Sequence, residues 1–423
     1  MIRVFLEHAE RTRMGKIAGG TLVASSALLA VIWFVPLNHN IFTSQTSSVI
    51  DSATTTPVVE AVPVLAKHIE TPSAVKAVYM SACIGATPSL RTKMLGLFDD
   101  TELNSLVLDL KDYTGTIAYA GTEIEIPSVG PGCRIADLPE FITELHERNI
   151  YTIARITVFQ DSLYASHHPD LAVQRVSDTE KIWRDKNGLA YIDPGASEYW
   201  DYIVDMAKEA YEIGFDEINF DYIRFPSDGN LADARYVHSI GRPKREVLRG
   251  FFEYLDSELA STTVPLSADL FGLVTTATDD LGIGQVLEDA LPYFDFIAPM
   301  VYPSHFSKGF YGIEKPAEKP YEVIVESMGR AVRRAQLASS SPAKLRPWIQ
   351  DFNLGAIYTP AMVRAQMQAS YDVGLNSWMI WNAANRYQRE ALAEKGVVDV
   401  VKVLTSPHAS TTVQVAPRVQ PQP

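Results

Sequence analysis

Eight short apolar runs, rich in β-branched and aromatic residues, recur along the middle of the chain. They constrain its fold more than any other feature. The runs are VKAVYMSA (75–82), SLVLDLKD (105–112), YTIARITVF (151–159), EINFDYIRF (217–225), PLSADLFG (265–272), FDFIAPMVY (294–302), LRPWIQDF (345–352) and SWMIWNA (377–383). Their length and composition are typical of buried β-strands. We therefore expect eight strands in this part of the chain.

Amphipathic helical patterns separate consecutive runs. One begins at Ser197 and ends at Gly214, and another begins at Thr359 with Pro360 in the first helical position. Strands that alternate with helices indicate a parallel sheet with crossover helices. Eight such units predict an α/β fold of the (β/α)8 TIM-barrel type over residues 75–404, with a doubly wound open sheet as the alternative.

The N-terminal region contains a run of uncharged, mostly apolar residues, IAGGTLVASSALLAVIWFV (17–35). This length is enough for a helix to cross about 30 Å of hydrocarbon. Basic residues precede it: Arg3, Arg11, Arg13 and Lys16. The positive-inside rule then places residues 1–16 in the cytoplasm and the barrel on the extracytoplasmic side of the membrane, at the cell surface or in the periplasm. A cleaved signal peptide is the alternative.

Two further segments differ in composition from the predicted barrel. Residues 36–74 are rich in Ser, Thr and Pro, which predicts a disordered linker, and residues 405–423 resemble them and predict a disordered tail. Cys83 and Cys133 are the two cysteines of the sequence. Export would permit a disulfide between them, and two separate buried thiols are the alternative.

The charge of the chain bears on its ligands. A formal net charge of -14 disfavours nucleic acid, because no basic patch would offset phosphate repulsion. We expect a neutral or weakly charged ligand. The sequence contains no HExxH zinc motif, no GxSxG nucleophile elbow and no Walker loop, so no metal site and no cofactor are predicted.

Polar residues cluster where the predicted strands end, and the active site of a TIM barrel lies at the C-terminal ends of its strands. The residues at these positions are Asp109, Lys111, Asn219, Asp221, Tyr222, Arg224, Asp269, Tyr302, Gln350, Asp351, Trp381 and Asn382. Side chains alternate along a strand. By this parity Asp109, Lys111, Asn219, Asp221 and Asp269 point into the barrel, whereas Gln350 and Asp351 are left undecided.

Two carboxyl groups that face each other across a pocket are what glycoside hydrolysis requires. Asp221 is the expected nucleophile or base, kept ionised by Arg224 three residues later, and Asp269 between apolar neighbours is the expected acid. A salt bridge that merely holds a loop is the alternative for Asp221 and Arg224. Lys111 is expected either to pair with Asp109 or to contact the substrate.

The remaining residues are assigned to substrate binding. Trp381, Tyr222 and Tyr302 offer aromatic faces for sugar rings, and Arg155 in YTIARITVFQD, Asn219, Gln350 and Asn382 offer polar groups. Asp351 is a third catalytic candidate.

Residues 75 to about 388 resemble the bacterial putative glycosyl hydrolase domain family (DUF4015). The resemblance rests on VLDLKDYTG, WRDKNG, GFDEINFDYIRFPSDG, SADLFG, FDFIAPMVYPSHF, LRPWIQDFNLG and GLNSWMIWNAANRY. It implies a TIM barrel related to glycoside hydrolases, often on exported or membrane-anchored proteins.

Two other groups of barrels are similar in part. Asp221, Asp269 and Asp351 resemble in placement the three catalytic acids of α-amylase-like barrels, with Asp in place of Glu on the fifth strand. DEINFDYI is similar to a chitinase strand motif, but Ile223 stands where the acid would be, which disfavours that mechanism.

The sequence thus predicts a glycoside hydrolase that acts on an extracytoplasmic polysaccharide or cell-wall glycan. The alternative is a non-catalytic carbohydrate-binding or envelope scaffold protein built on the same barrel.

Overall fold

The computed structural model describes residues 67–119 and 133–396. Eight strands form a closed barrel in which each strand pairs in parallel with its neighbours, in the order β1-β2-β3-β5-β7-β8-β9-β10. They are β1 (Lys76–Met80), β2 (Ser105–Lys111), β3 (Tyr151–Thr157), β5 (Glu217–Asp221), β7 (Leu266–Phe271), β8 (Phe296–Met300), β9 (Trp348–Gln350) and β10 (Trp378–Trp381). The prediction of a TIM barrel is confirmed, and the open sheet is excluded by the pairing of β1 with β10.

Helices follow the barrel strands in the crossovers and pack on the outside of the barrel. They are α1 (Ala82–Gly85), α2 (Pro88–Leu95), α3 (Leu97–Asp100), α4 (Leu138–Glu147), α5 (Ser162–His167), α6 (Ser197–Ile213), α7 (Lys244–Leu259), α8 (Leu287–Ala290), α9 (Pro320–Leu337) and α10 (Pro360–Asp372). After β10 the described part of the chain contains one short 3-10 helix, Arg389–Ala391, so no eighth crossover helix is seen there.

The caps of two helices agree with the sequence pattern. The Thr359 side chain accepts a hydrogen bond from the Met362 amide at the start of α10. Gly214 ends α6 with a φ of 118°, a left-handed conformation that glycine adopts without strain. Local chemistry therefore fixes the ends of these crossovers.

A long excursion lies between β3 and α6. It contributes strand β4 (Gln174–Arg175), which pairs antiparallel with β6 (Ala234–Arg235) from the loop after β5. Both loops follow C-terminal ends of barrel strands, so this small ribbon lies on the face where the polar residues collect. The sequence did not predict it, because two-residue strands carry no periodicity.

The opposite, N-terminal end of the barrel is filled by a buried ion pair. The Arg346 guanidinium donates to both Glu217 carboxyl oxygens at 2.8 and 3.0 Å, and the Tyr151 hydroxyl donates to Glu217 at 3.1 Å. The segment that leads into β1 covers this end: the Ile69 amide donates to Asp216 at 2.8 Å, and the Thr71 hydroxyl lies 3.0 Å from the Tyr151 hydroxyl. These contacts form the floor of the barrel.

The disulfide prediction is confirmed. Cys83 and Cys133 are bonded, with their Cα atoms 4.8 Å apart, and they join α1 to the segment that precedes α4. Among the described residues, no helix combines the length and apolar character needed to span a membrane. The predicted membrane helix 17–35, the linker up to residue 66 and the tail 405–423 lie outside the described residues.

Candidate active site

The site begins with strand register. Asp109 on β2 lies beside Arg155 on β3, and Arg155 lies beside Asn219 on β5. Neighbours in register on a parallel sheet point to the same face. These three side chains therefore share one layer inside the barrel, near the C-terminal ends of the strands.

The Arg155 guanidinium links carboxyl groups from three strands. Its Nη1 lies 2.5 Å from Asp109 Oδ1, its Nη2 forms a short ion pair with Asp221 Oδ2, and its Nε lies 3.9 Å from Asp269 Oδ2. Three ionised carboxyl groups around one guanidinium would leave an excess of two negative charges in a buried site. This excess is costly because the protein interior has a low effective dielectric constant. At least one of the three is therefore expected to hold a proton.

Asp269 is the carboxyl group most suited to hold that proton. It is 1% exposed, and burial together with the negative charge of Asp221 raises its pKa well above the ordinary value, against the opposing effect of Arg155. Its Oδ1 accepts hydrogen bonds from Asn219 Nδ2 at 2.9 Å and Trp348 Nε1 at 2.7 Å. Because both donors occupy Oδ1, the proton belongs on Oδ2, the oxygen that faces Arg155.

Asp109 is less suited to donate a proton. Burial also raises its pKa, but each of its oxygens accepts a hydrogen bond: Oδ1 from Arg155 and Oδ2 from the Tyr79 hydroxyl. Hydrogen bonds of this kind stabilise the charged form of a carboxyl group. We therefore assign Asp109 to holding Arg155 in place.

Asp221 ends β5 at the entrance to the barrel. Its Oδ2 contacts Arg155, and its Oδ1 accepts from the Tyr222 amide at 2.5 Å. Tyr222 has a φ of 53°, a left-handed conformation that costs a bulky residue on the order of 1 kcal/mol. Strain of this kind persists where the surrounding structure requires a particular orientation. Here it turns the chain immediately after Asp221.

An aromatic cluster lies at the ends of β8, β9 and β10. The half-buried Trp381 ring stacks on Tyr302 with centroids 5.5 Å apart and planes 29° apart, and Phe352 meets Trp381 edge-on at 5.1 Å. The exposed part of these rings offers an apolar surface beside the carboxyl cluster, as sugar rings require.

The barrel and its motifs match a known protein family. The model of the putative glycosyl hydrolase domain family (DUF4015) matches residues 77–387. The chain belongs to this family. The resemblance stated from the motifs is thereby confirmed, and the barrel is a glycosyl hydrolase-like domain. The sequence matches no curated protein.

A solved structure of low sequence identity shares the fold of this glycosyl hydrolase-like domain. The glycoside hydrolase domain of PgaB (BpsB) from Bordetella bronchiseptica is 16% identical with a TM-score of 0.54, covering 76% of this chain and 99% of that one. A hypothetical protein from Ruminiclostridium thermocellum ATCC 27405 is 30% identical with a TM-score of 0.41, covering 49% of this chain and 98% of that one. The first supports the barrel fold.

Lys111 is not in the carboxyl cluster, and the prediction that it points inward is wrong. The register between β2 and β3 shifts between Asp109 and Lys111, so that Lys111 lies beside Ile156. Such a bulge reverses the parity. Lys111 is fully buried outside the barrel, 2.8 Å from Asp161 and 2.6 Å from the Thr157 carbonyl oxygen.

Arg224 forms no ion pair with Asp221 among the described residues, although the charge of Asp221 acts on it from a longer distance. Its Nη1 donates to the Phe225 carbonyl at 3.2 Å and to the Ser227 hydroxyl at 3.1 Å. The turn at Tyr222 directs the chain away from the strand axis, so spacing along the sequence no longer measures proximity. Arg155, from the neighbouring strand, takes the expected role.

The last polar candidates hold loops at the C-terminal ends of β9 and β10. Asp351 accepts from the Gln388 amide at 2.9 Å and from Gln388 Nε2 at 2.7 Å, and burial raises its pKa. Gln350 accepts from Ser304 Oγ at 2.9 Å and donates to the Phe352 carbonyl at 2.8 Å; Asn382 donates to the Arg386 carbonyl at 2.7 Å. Their catalytic and binding roles stay predictions.

Tyr79 and Trp348 contact the carboxyl cluster, although the sequence reading did not select them. Each lies within one of the eight predicted strands, and both pack in the barrel interior with Tyr302. Alternation along the strands indicates that both side chains point into the barrel, because Tyr79 is two positions beyond the buried Ala77 and Trp348 is two positions beyond the buried Arg346. Aromatic residues with a polar N–H or O–H at inward positions near strand ends are therefore candidates for holding a catalytic carboxyl group.

Proposed function

We propose that this protein hydrolyses glycosidic bonds of a polysaccharide or cell-wall glycan. Asp269 serves as the general acid through Oδ2, and Asp221 serves as the nucleophile or base. The observation that carries the proposal is the shared guanidinium of Arg155, which contacts the Asp221 carboxylate and lies 3.9 Å from Asp269 Oδ2. Two carboxyl groups held in different protonation states by their surroundings are the requirement of this chemistry.

The roles follow from the surroundings of each group. The ion pair with Arg155 offsets the charge on Asp221, which then supports positive charge developing on the sugar. Burial and the charge of Asp221 raise the pKa of Asp269, so that Asp269 holds the proton needed by the leaving oxygen. The half-buried Trp381 and Phe352 support the sugar ring beside them.

We also propose that the barrel works on the extracytoplasmic side, tethered to the membrane by residues 17–35. The disulfide between Cys83 and Cys133 supports exposure to an oxidising compartment. Protease accessibility of the barrel in intact cells tests the location. Protection of the barrel from added protease would contradict it.

The test of activity compares two leaving groups. Reducing-sugar release from a polysaccharide panel and phenolate release from 2,4-dinitrophenyl glycosides are measured for wild type, Asp221→Asn and Asp269→Asn. We expect Asp269→Asn to lower polysaccharide turnover by about 10²- to 10⁴-fold and to spare the dinitrophenyl glycosides, whose leaving group needs no proton. Asp221→Asn lowers both rates.

The control is Asp99→Asn, which alters a carboxyl group with 71% of its side chain exposed. It leaves both rates unchanged. Equal activity of Asp221→Asn and wild type on every substrate would overturn the role of Asp221. Equal losses of activity on both kinds of leaving group in Asp269→Asn would overturn the role of Asp269 as the acid.

A second function, carbohydrate binding without turnover, is favoured by one observation. Asp269 is 1% exposed and accepts hydrogen bonds from Asn219 and Trp348. Both features restrict contact between the acid and a bound sugar. Calorimetry that detects binding of a glycan which wild type does not cleave supports this second function.

A further inference from the structure

Arg224 differs from the other buried basic side chains of the described residues. Lys111, Arg346 and Arg224 are 0%, 1% and 7% exposed. Lys111 lies 2.8 Å from Asp161, and Arg346 lies 2.8 Å from Glu217. Within the described part of the chain, Arg224 has no carboxylate within 4.0 Å. A buried cation without an anionic partner is costly, so its presence calls for a compensating interaction.

Aromatic rings provide part of that compensation. The Arg224 guanidinium carbon lies 4.8 Å from the centroid of the Phe271 ring, 4.9 Å from that of Tyr222 and 5.8 Å from that of Tyr191. The negative faces of such rings attract a cation and replace some of its hydration. Burial lowers the pKa of Arg224, but its interactions with Tyr191, Tyr222 and the Asp221 carboxyl group outweigh that effect and raise the pKa, so the guanidinium stays charged.

The hydrogen bonds of Arg224 leave one edge available. Arg224 donates from Nη1 to the Phe225 carbonyl and the Ser227 hydroxyl, and the Tyr191 hydroxyl is a further hydrogen-bonding neighbour of its guanidinium. The opposite edge consists of Nε and Nη2, with parallel N–H groups that match the two oxygens of a carboxylate. This edge has the geometry for side-on binding of a carboxylate.

Arg224 also borders the candidate site. The charge of Asp221 acts on it, as does that of Asp185. The rings on either side of it are half-buried: Tyr222 directly follows Asp221, and Phe271 ends β7 two residues after Asp269. A sugar that reaches the carboxyl cluster therefore passes close to these rings.

We propose that Arg224 binds a carboxylate carried by the sugar in this site, so that the substrate is an acidic oligosaccharide. This inference rests on the proposed function and specifies its substrate class. The carboxylate belongs either to a uronic acid ring or to a lactyl ether on an amino sugar, and Arg224 recognises both through the same two oxygens.

Charges around Arg224 favour an isolated carboxylate rather than a dense polyanion. Asp185 and Asp228 interact with each other, and Asp228 is balanced by Lys186 at 3.4 Å. The chain carries a formal net charge of -14, which repels a ligand with a negative charge on every unit. Short glycans with one carboxylate are therefore the appropriate probes.

The experiment measures binding in the full chain carrying Asp269→Asn, which prevents turnover and keeps that position neutral. Calorimetry compares trisaccharides with one glucuronic or galacturonic acid, and a muramic acid disaccharide, with the same sugars reduced to the alcohol at the carboxyl group. We expect at least one acidic sugar to bind about tenfold or more tightly than its reduced form. Selective binding of a uronic acid trisaccharide indicates a uronate ligand, and selective binding of the muramic acid disaccharide indicates a lactyl ether.

Variants assign that preference to Arg224. Arg224→Gln brings the affinity ratio close to one, and Arg224→Lys, which keeps the charge without the fork, lowers it at least threefold. Arg175→Gln, which removes an exposed cation from β4, leaves it unchanged. If Arg224→Gln does not fold, Arg224→Lys decides.

Equal affinities for acidic and reduced sugars in the parent would overturn the inference, as would a ratio unchanged in both Arg224 variants. Failure of the proposed function is separate: selective binding by the parent, with no cleavage of the same sugars by wild type, supports the role of Arg224 and rejects hydrolysis.

Discussion

The indole Nε1 of Trp348 on β9 donates to Asp269 Oδ1 on β7 at 2.7 Å, past the intervening strand β8. This bond stabilises the carboxylate form of Asp269 and so opposes the rise in its pKa caused by burial. It also fixes the orientation of the carboxyl group, because Asn219 donates to the same oxygen. Trp348 is therefore a positioning residue for the proposed acid.

Trp348→Phe removes that donor. The pKa of Asp269 then rises further, and we expect the alkaline limb of the kcat profile to move to higher pH. The matched control is Trp378→Phe, on the adjacent strand β10, whose indole donates to the Tyr371 hydroxyl at 2.9 Å. A limb that moves equally in both variants, or in neither, would contradict the role of Trp348.

Asp269→Asn should raise the stability of the folded protein at neutral and alkaline pH. Between the ordinary pKa of about 3.9 and the raised folded value, the native state keeps the Asp269 proton that the unfolded chain has lost. Wild-type stability therefore falls as pH rises through this window. Asparagine resembles the protonated acid and removes this dependence.

The measurement is thermal unfolding of wild type and Asp269→Asn from pH 4 to pH 8. The variant should gain most relative to wild type at the alkaline end. A difference in melting temperature that is constant across this range would show that Asp269 ionises without penalty.

The floor ion pair provides a test of stability away from the site. Arg346→Met leaves Glu217 buried without its partner and should lower the free energy of unfolding by about 3 to 5 kcal/mol. Glu217→Gln combined with Arg346→Met removes both charges and should recover part of that loss. Urea unfolding measures the free energy of unfolding of Arg346→Met, of Glu217→Gln and of the double variant. A double variant as unstable as the sum of the two single variants would show that the charges do not interact.

The disulfide should stabilise the barrel through chain entropy. The bond closes a loop with a sequence separation of 50 residues, and bonds of this span contribute about 2 to 4 kcal/mol. The double variant Cys83→Ser, Cys133→Ser should lose this amount in urea unfolding under oxidising conditions. Under reducing conditions, wild type and variant should unfold at the same urea concentration, and a persistent difference there would mean that the serines themselves perturb the fold.

The barrel could be predicted because each of its strands is encoded locally. Runs of apolar residues mark the strands. Alternation along each strand predicts that Asn219 and Asp269 both point into the barrel, where their side chains form a hydrogen bond. Both predictions agree with the structure because they depend only on residues that are close together in the sequence.

The arrangement around the carboxyl groups could not be predicted in the same way. The bulge between Asp109 and Lys111 is set by pairing with β3, and no residue type marks it. The choice of Arg155 over Arg224 as the partner of Asp221 depends on register between β3 and β5 and on the turn at Tyr222. Such features arise from contacts between segments distant in sequence.

The floor formed by Glu217, Arg346 and Tyr151 makes the barrel a blind pocket instead of a passage. A polymer cannot thread along the barrel axis, because packed side chains fill the interior at that end. A long ligand can therefore reach the carboxyl cluster only from the C-terminal end of the barrel, either across the rim or with one end inserted. Access to the carboxyl cluster is then independent of ligand length, and whatever enters must leave by the same opening.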